Sequence, residues 1–135
     1  MRGPLLVAGV MLLSGCAHMW AYDSEQAWVD LSTNRDNRLF AYKVDDKPVD
    51  DWEYFQVTPG RHELVARVLF KVDGSNVGSS SSALSRRCEV KLVYADFAKG
   101  QRYRLEAGNT GFRAWAKLYD EHNQELARAK EGRCG

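Results

Sequence analysis

Apolar and polar residues alternate along much of this chain. The longest run is the clearest: His62, Leu64, Ala66, Val68 and Phe70 interleave with Glu63, Val65, Arg67, Leu69 and Lys71. A period of two is the mark of a strand with one covered face. The first set reads as inward-facing, and the second is mixed and partly covered. Arg38 to Val44 places Phe40, Tyr42 and Val44 at the same period. Cys88, Val90, Leu92 and Tyr94 repeat it, as do Tyr103 and Leu105 within Arg102–Glu106. Phe112, Ala114, Ala116 and Leu118 form one face of a further strand, with Trp115 and Tyr119 on the other. Ala27–Leu31 and the aromatic-rich Asp51–Val57 complete the set, and Glu125–Lys130 reads as a short strand or one helical turn.

Turn chemistry separates these runs. Asn34–Asn37, Asp45–Pro48, Thr58-Pro59-Gly60, Ala98–Gln101, Gly108–Gly111 and Asp120–Gln124 are polar or carry Pro and Gly, which suit the special dihedrals of turns. Asp73–Ser85 is rich in Gly and Ser, with four consecutive serines at 79–82. It reads as a mobile hairpin loop and a passive connector, because it offers too little apolar surface to order itself. About seven or eight short strands at this spacing predict an all-β fold: a single small β-sandwich, or a partly open barrel, with antiparallel strands.

The first residues follow a different rule. Arg2 precedes Leu5–Leu13, a nine-residue stretch without charge. A charged start and a short apolar run form a secretory signal. As a helix the run spans only about 14 Å, half a bilayer core, so it is no transmembrane anchor. Leu13-Ser14-Gly15-Cys16 then resembles the lipobox of bacterial lipoproteins. The resemblance implies removal of residues 1–15, a diacylglycerol thioether on Cys16 and acylation of the new amino terminus. In that family an Asp after the Cys favours retention at the inner membrane. Ala17 stands here, which implies the periplasmic face of the outer membrane. Residues 16–24 would then be a lipidated tether and 25–135 the folded domain. Trp20 and Tyr22 in the tether suit either the membrane interface or the domain surface.

Composition narrows the function classes. The 135 residues carry 19 Lys plus Arg against 18 Asp plus Glu, a net charge of +1. That balance argues against nucleic acid as a partner. The three cysteines are Cys16, Cys88 and Cys134. With Cys16 lipidated, two remain in an oxidising compartment, and a Cys88–Cys134 disulfide is the simplest pairing. It would pin a C-terminus that otherwise frays.

Val44-Asp45-Asp46-Lys47-Pro48-Val49, followed by Val57-Thr58-Pro59-Gly60-Arg61-His62-Glu63-Leu64, resembles the hairpin and turn pattern of PEGA-like and transthyretin-like sandwich modules. Asp46 stands where that pattern usually has Gly. Gly100-Gln101-Arg102-Tyr103-Arg104-Leu105 is similar to a late strand of small bacterial lipoproteins. The resemblance implies a non-enzymatic module attached to envelope surfaces or partners.

No sequence pattern of a nucleophile elbow, a zinc protease, a phosphate-binding loop, a Cys-x-x-Cys pair or a calcium loop occurs in the chain. We therefore expect no catalytic residues, no metal site and no cofactor. His62 and Glu63 are neighbours on a strand and point to opposite faces, so they do not form an acid–base pair. His62 reads as a structural residue beside a turn. Asp45-Asp46 and Asp50-Asp51 read as solvated turn carboxylates. Arg86, Arg87, Arg102, Arg104 and Arg113 are candidates for a basic patch toward anionic lipid or glycan, weakened by Glu89 and Glu106. The expected function is a lipid-anchored binding or structural module with an envelope protein or glycan as partner. The alternatives are an inhibitor of a cell-wall hydrolase and an unrecognised envelope hydrolase. The Ser-Gly-x-x-Tyr loop of lipoproteins that inhibit lysozyme is absent.

Overall fold

The computed structural model describes residues 23–72 and 84–135. Cys16, the tether up to Tyr22 and the Asp73–Ala83 part of the Gly/Ser-rich stretch lie outside the described residues. The strands are β1 (Ala27–Ser32), β2 (Arg38–Val44), β3 (Lys47–Pro48), β4 (Tyr54–Val57), β5 (Gly60–Val72), β6 (Leu84–Phe97), β7 (Arg102–Thr110), β8 (Arg113–Tyr119), β9 (Glu125–Arg128) and β10 (Lys130–Cys134). They form two five-stranded sheets, ordered β4-β1-β7-β8-β9 and β10-β6-β5-β2-β3. The sheets face each other across one apolar core and are not closed into a barrel. The described residues thus hold ten strands where the sequence suggested seven or eight. They are not all antiparallel, since β1 and β7 run parallel, with Val29 opposite Tyr103 and Leu31 opposite Leu105.

The core takes alternate residues from both inner faces. Val29 and Phe55, Leu105 and Leu118 come from the first sheet; Leu64, Val68, Val90 and Leu92 come from the second. All are under 2% exposed, and no charged or polar residue is buried among the described ones. Truncating any of these large side chains to Ala would cost roughly 2–5 kcal/mol through lost burial and the cavity left behind.

Two bulges change which face a residue occupies. Opposite Gly60–His62, β6 carries an extra residue between Tyr94 and Phe97. The parity flips, and Phe97 turns inward to become one of the largest fully buried side chains. On β2 the register shifts between Ala41 and Lys43. Leu39, Ala41 and Val44 therefore meet the core, whereas Phe40 and Tyr42 face outward. The simple alternation that grouped Phe40, Tyr42 and Val44 on one face does not hold, because a bulge breaks the period of two. At this bulge Ala41 N–H donates to the carbonyl of Trp52 at 2.8 Å, and Val49 N–H donates to Tyr42.

The turns follow their residues. Asp45 and Asp46 both have positive φ, 50° and 67°, forming the two-residue loop between β2 and β3. This is the primed geometry that matches strand twist, and Asp is among the residues that tolerate it. Gly108–Thr110 was expected to be loop, yet these residues continue β7, and the reversal falls on Gly111-Phe112. Phe112 therefore leaves the inner face and is 37% exposed. Gly108 is needed inside the strand because the Trp115 ring lies over it. A Cβ built there would sit 2.8 Å from the ring. Leu84 and Ser85 belong to β6, paired with Val72 and Lys71, where a loop was expected.

Within Glu125–Lys130, Glu125–Arg128 form β9, and a further strand, β10, begins at Lys130 after the single residue Ala129. The chain passes there from the first sheet to the second. Ala129 N–H still donates to Ala116 at 2.9 Å. One step later the Glu131 carboxylate reaches back, accepting from Ala114 N–H at 2.6 Å and from Arg113 at 2.9 Å. It occupies the place on β8 that β9 has left. Cys134, opposite Cys88 across β10 and β6, completes the corner.

Candidate functional site on the outer face of the second sheet

The disulfide expected from the cysteine count is present. Cys88 and Cys134 are joined, with Cα atoms 4.0 Å apart. Glu131 lies close to both sulfurs. With the sulfurs spent on each other and the carboxylate held by Ala114 and Arg113, this group is a structural corner and not a set of free ligands.

His62 is the centre of a second cluster. Its Nδ1 is 2.6 Å from Asp45 Oδ2. Its Nε2 is 2.8 Å from the Thr58 carbonyl and 3.1 Å from the Thr58 hydroxyl. A neutral ring accepts from the hydroxyl, and a protonated ring donates to the carbonyl. A hydroxyl, an imidazole and a carboxylate in line is the order of a nucleophilic relay. Here the nearer oxygen is the carbonyl, so the ring clasps the Thr58–Gly60 turn to the Asp45-Asp46 loop. Hydrogen bonds from Glu63 N–H and then from His62 hold the Asp45 carboxyl below the usual carboxylate range. Sequence spacing paired His62 with Glu63 only to reject it; the true partner comes from the β2–β5 register, which sets Val44 opposite Leu64.

The five arginines do not form one patch. Arg102 and Arg104 lie on the outer face of the first sheet. Arg102 bonds Asp30 at 3.0 Å and lies over the Trp28 ring. Trp28 in turn stacks on Tyr54 with centroids 4.1 Å apart and donates to Asp30 at 2.6 Å. Burial pushes the Asp30 carboxyl up, but the bonds from Arg102 and Trp28 outweigh it, and the group stays below its ordinary value. Arg104 bonds Asn123 and lies over Tyr119. Arg113 is taken by Glu131. On this face charges and rings satisfy one another.

The outer face of the second sheet differs. Cross-strand pairing lines up Phe40 with Arg67 and Glu89, and Arg38 with Leu69 and Arg87. Trp52, 58% exposed, tilts against Phe40 at 4.9 Å. Arg67 stacks over Tyr42 at 3.6 Å and reaches Glu89 only at 3.9 Å. Phe40, Tyr42, Trp52, Arg67 and Arg87 border a groove of about 450 Å³ along with Leu69. A second groove of about 500 Å³ continues from it through the shared Leu69 and Arg87 to Arg38, Lys71 and Arg86, with Asp36 the carboxylate side chain beside them. Arg86 is held by the Phe112 carbonyl at 3.0 Å. Arg38, Arg87 and Lys71 make no ion pair with any described residue. The sequence hinted at Arg86 and Arg87. It missed Trp52, Phe40 and Arg38: the β2 bulge sets Phe40 and Val44 on different faces, and Arg38 is placed by cross-strand register opposite Leu69.

This face brings the exposed Trp52 ring together with guanidinium groups that have no ion-pair partner among the described residues, a combination that binds flat apolar surfaces and anions at once. No family model, no curated protein and no solved structure matches this chain.

Proposed function

We propose that this chain is a lipid-anchored, non-enzymatic binding module of the bacterial envelope. Residues 1–15 direct export and are removed. Lipid on Cys16 holds the protein at the periplasmic face of the outer membrane, and residues 25–135 form a single β-sandwich domain. The domain works through the outer face of its second sheet. The observation that carries this reading is the contrast between the two outer faces. Trp28, Asp30, Arg102 and Arg104 are internally satisfied on one. Trp52 is largely exposed on the other, beside Arg38 and Arg87, which lack ion-pair partners among the described residues. Exposed Trp and Arg are the side chains that contribute most to binding where they cluster.

The test is site-specific photocrosslinking in intact envelopes. A photoreactive residue at position 52 should capture envelope material, and one at position 117 on the opposite outer face should not. Equal capture from both positions, or none from position 52, would overturn the reading.

A further inference from the structure

We propose that the ligand of this face is a linear acidic glycan, a chain of sugar rings bearing carboxylates, laid across β2, β5 and β6. The inference rests on the binding-face reading above and names its ligand class.

Over β5 and β6 the position on the sheet excludes the most economical way of holding a peptide. Extended peptides gain affinity by adding a strand to a free sheet edge. β5 and β6 are interior strands, paired on both sides, whereas β3 pairs β2 only at Lys43 and Val44. The backbone groups of β5 and β6 are committed to the ladders, so over these strands the face offers side chains only. Those side chains come in two kinds. Trp52 is largely exposed and Phe40, half-buried, packs against it, with Leu69 extending the apolar floor. Ring faces accept the C–H-bearing face of a sugar. Arg87 and Arg38 flank Leu69 across the strands, each without an ion-pair partner among the described residues. A guanidinium presents a planar fork matched to a carboxylate.

The layout suits a polymer. The two grooves join end to end through Leu69 and Arg87, so the aromatic stretch and the cationic stretch form one path along the sheet. Sugar rings would occupy the Trp52–Phe40 end, with carboxylates of the following units at Arg87 and Arg38. Carboxylate side chains are sparse at the cationic end, where Asp36 lines the groove, and Glu89 stands beside Arg67. At the aromatic end Asp51 and Glu53 flank Trp52 in the chain, and Pro48 and Val49 also border a groove of Asp45, Asp50 and Asp51. The charge of the Arg38–Arg87 stretch therefore favours an anion there, and the rings favour one built of sugars over a simple charged surface.

The experiment uses the full chain, purified with its lipid in neutral detergent. The probe is a polygalacturonate oligomer, measured by calorimetry. Its fully methyl-esterified form, a poly-glutamate peptide and phosphatidylglycerol vesicles serve as comparisons. The acidic oligomer should bind, and binding should weaken as salt rises. Esterification, Arg87→Gln and Trp52→Ala should each lower affinity about tenfold or more, a loss typical of a central anchor. Lys117→Gln, on the other outer face, should leave it unchanged. Circular dichroism of each variant establishes that it folds, and Trp52→Phe should restore part of the affinity. Poly-glutamate binding as tight as the oligomer, with no effect of Trp52→Ala, would overturn the glycan assignment. So would vesicle binding that depends on Trp52, which would make the face a membrane contact. If the oligomer fails while position 52 still crosslinks to envelope material, the glycan is wrong and the binding face stands. If both fail, the face itself is wrong.

Discussion

The Asp45 carboxylate lies 2.6 Å from Nδ1 of His62, seventeen residues further along the chain. Its other oxygen accepts from Glu63 N–H at 2.9 Å. One side chain in a two-residue loop thus fixes both the ring and the backbone at the start of the longest core-forming run. The loop needs positive φ at Asp45, so the residue that closes the hairpin also joins it to β5.

The stability of this clasp should depend on acid. Bonds from Glu63 N–H and His62 hold the Asp45 carboxyl below its ordinary value of 3.8 in the folded chain. Unfolding restores the ordinary value, so the unfolded chain binds the proton first as pH falls. The contribution is therefore complete above the usual carboxylate range and disappears as pH drops through the folded value. Asp45→Asn keeps an acceptor for Glu63 N–H and tolerates the positive φ, but removes the charge. We expect it to lower stability at pH 7 by at most about 1 kcal/mol, because the group is half exposed and screened. The difference from the parent should shrink as pH falls through and below the carboxylate range. Urea unfolding at pH 7 and at successively lower pH measures it, and a difference that grows toward acid would contradict the assignment.

Much of this fold can be read from alternation, and the failures come from bulges and from contacts between distant parts of the chain. The inner sets of β5, β6 and β8 follow the period of two, so Leu64, Val68, Val90 and Leu118 are evident from sequence. A bulge inserts a residue without any sequence mark, so Phe97 changes faces unannounced and Phe40 and Tyr42 turn to solvent. The parallel pairing of β1 with β7 depends on partners 74 positions apart, which no local pattern encodes. The same holds for the candidate site. Arg87 and Arg38 flank Leu69 only because register sets both opposite it. Two-residue turns were easier: Asp45-Asp46 has residues that suit its dihedrals. Gly108-Asn109 carried equally good turn residues and misled, because that glycine makes room for the Trp115 ring.

Glu131 should matter more than its place near the C-terminus suggests. It belongs to β10 in the second sheet, yet its carboxylate serves Ala114 N–H and Arg113 on β8 in the first. Its side chain is only 15% exposed. Glu131→Ala leaves a backbone donor without its charged acceptor, and a hydrogen bond to a charged group contributes roughly 1.5–3 kcal/mol. Glu131→Gln retains one acceptor and should lose less than half of that. Hydrogen exchange would localise the effect: the Ala114 amide should become one of the faster amides of β8 in Glu131→Ala. Unchanged protection there would show that the sheets hold together without this contact.

The disulfide closes the same corner. Its cysteines are 46 positions apart, and a loop of that length should add about 4 kcal/mol by restricting the unfolded chain. Comparing oxidised with reduced protein leaves every other atom in place, so no cavity confuses the result. Reduction should lower the melting temperature clearly and release Gly132–Gly135 first, since β10 is an edge strand. Gly135, which exchanges two backbone bonds with Arg87, should then lose them. Equal melting in both redox states would mean that the edge ladder alone fixes the C-terminus.

Anchoring is the expectation on which location depends. Leu13-Ser14-Gly15-Cys16 ends the apolar stretch, and Cys16 would supply the thiol on which a diacylglycerol group is built. A single acyl chain holds a protein only marginally, whereas two or three make anchoring stable. In a bacterial host, radiolabelled palmitate should enter the parent protein and be absent from Cys16→Ser. That variant should accumulate as uncleaved precursor, since lipidation precedes removal of the signal. The Cys88–Cys134 pair gives an internal check, because disulfide-bonded sulfurs cannot take a thioether. Equal palmitate in Cys16→Ser would place the lipid elsewhere and remove the basis for membrane attachment. Soluble, cleaved protein without label would instead mark the segment as an ordinary export signal, and the sheet face would then meet its ligand free in the periplasm.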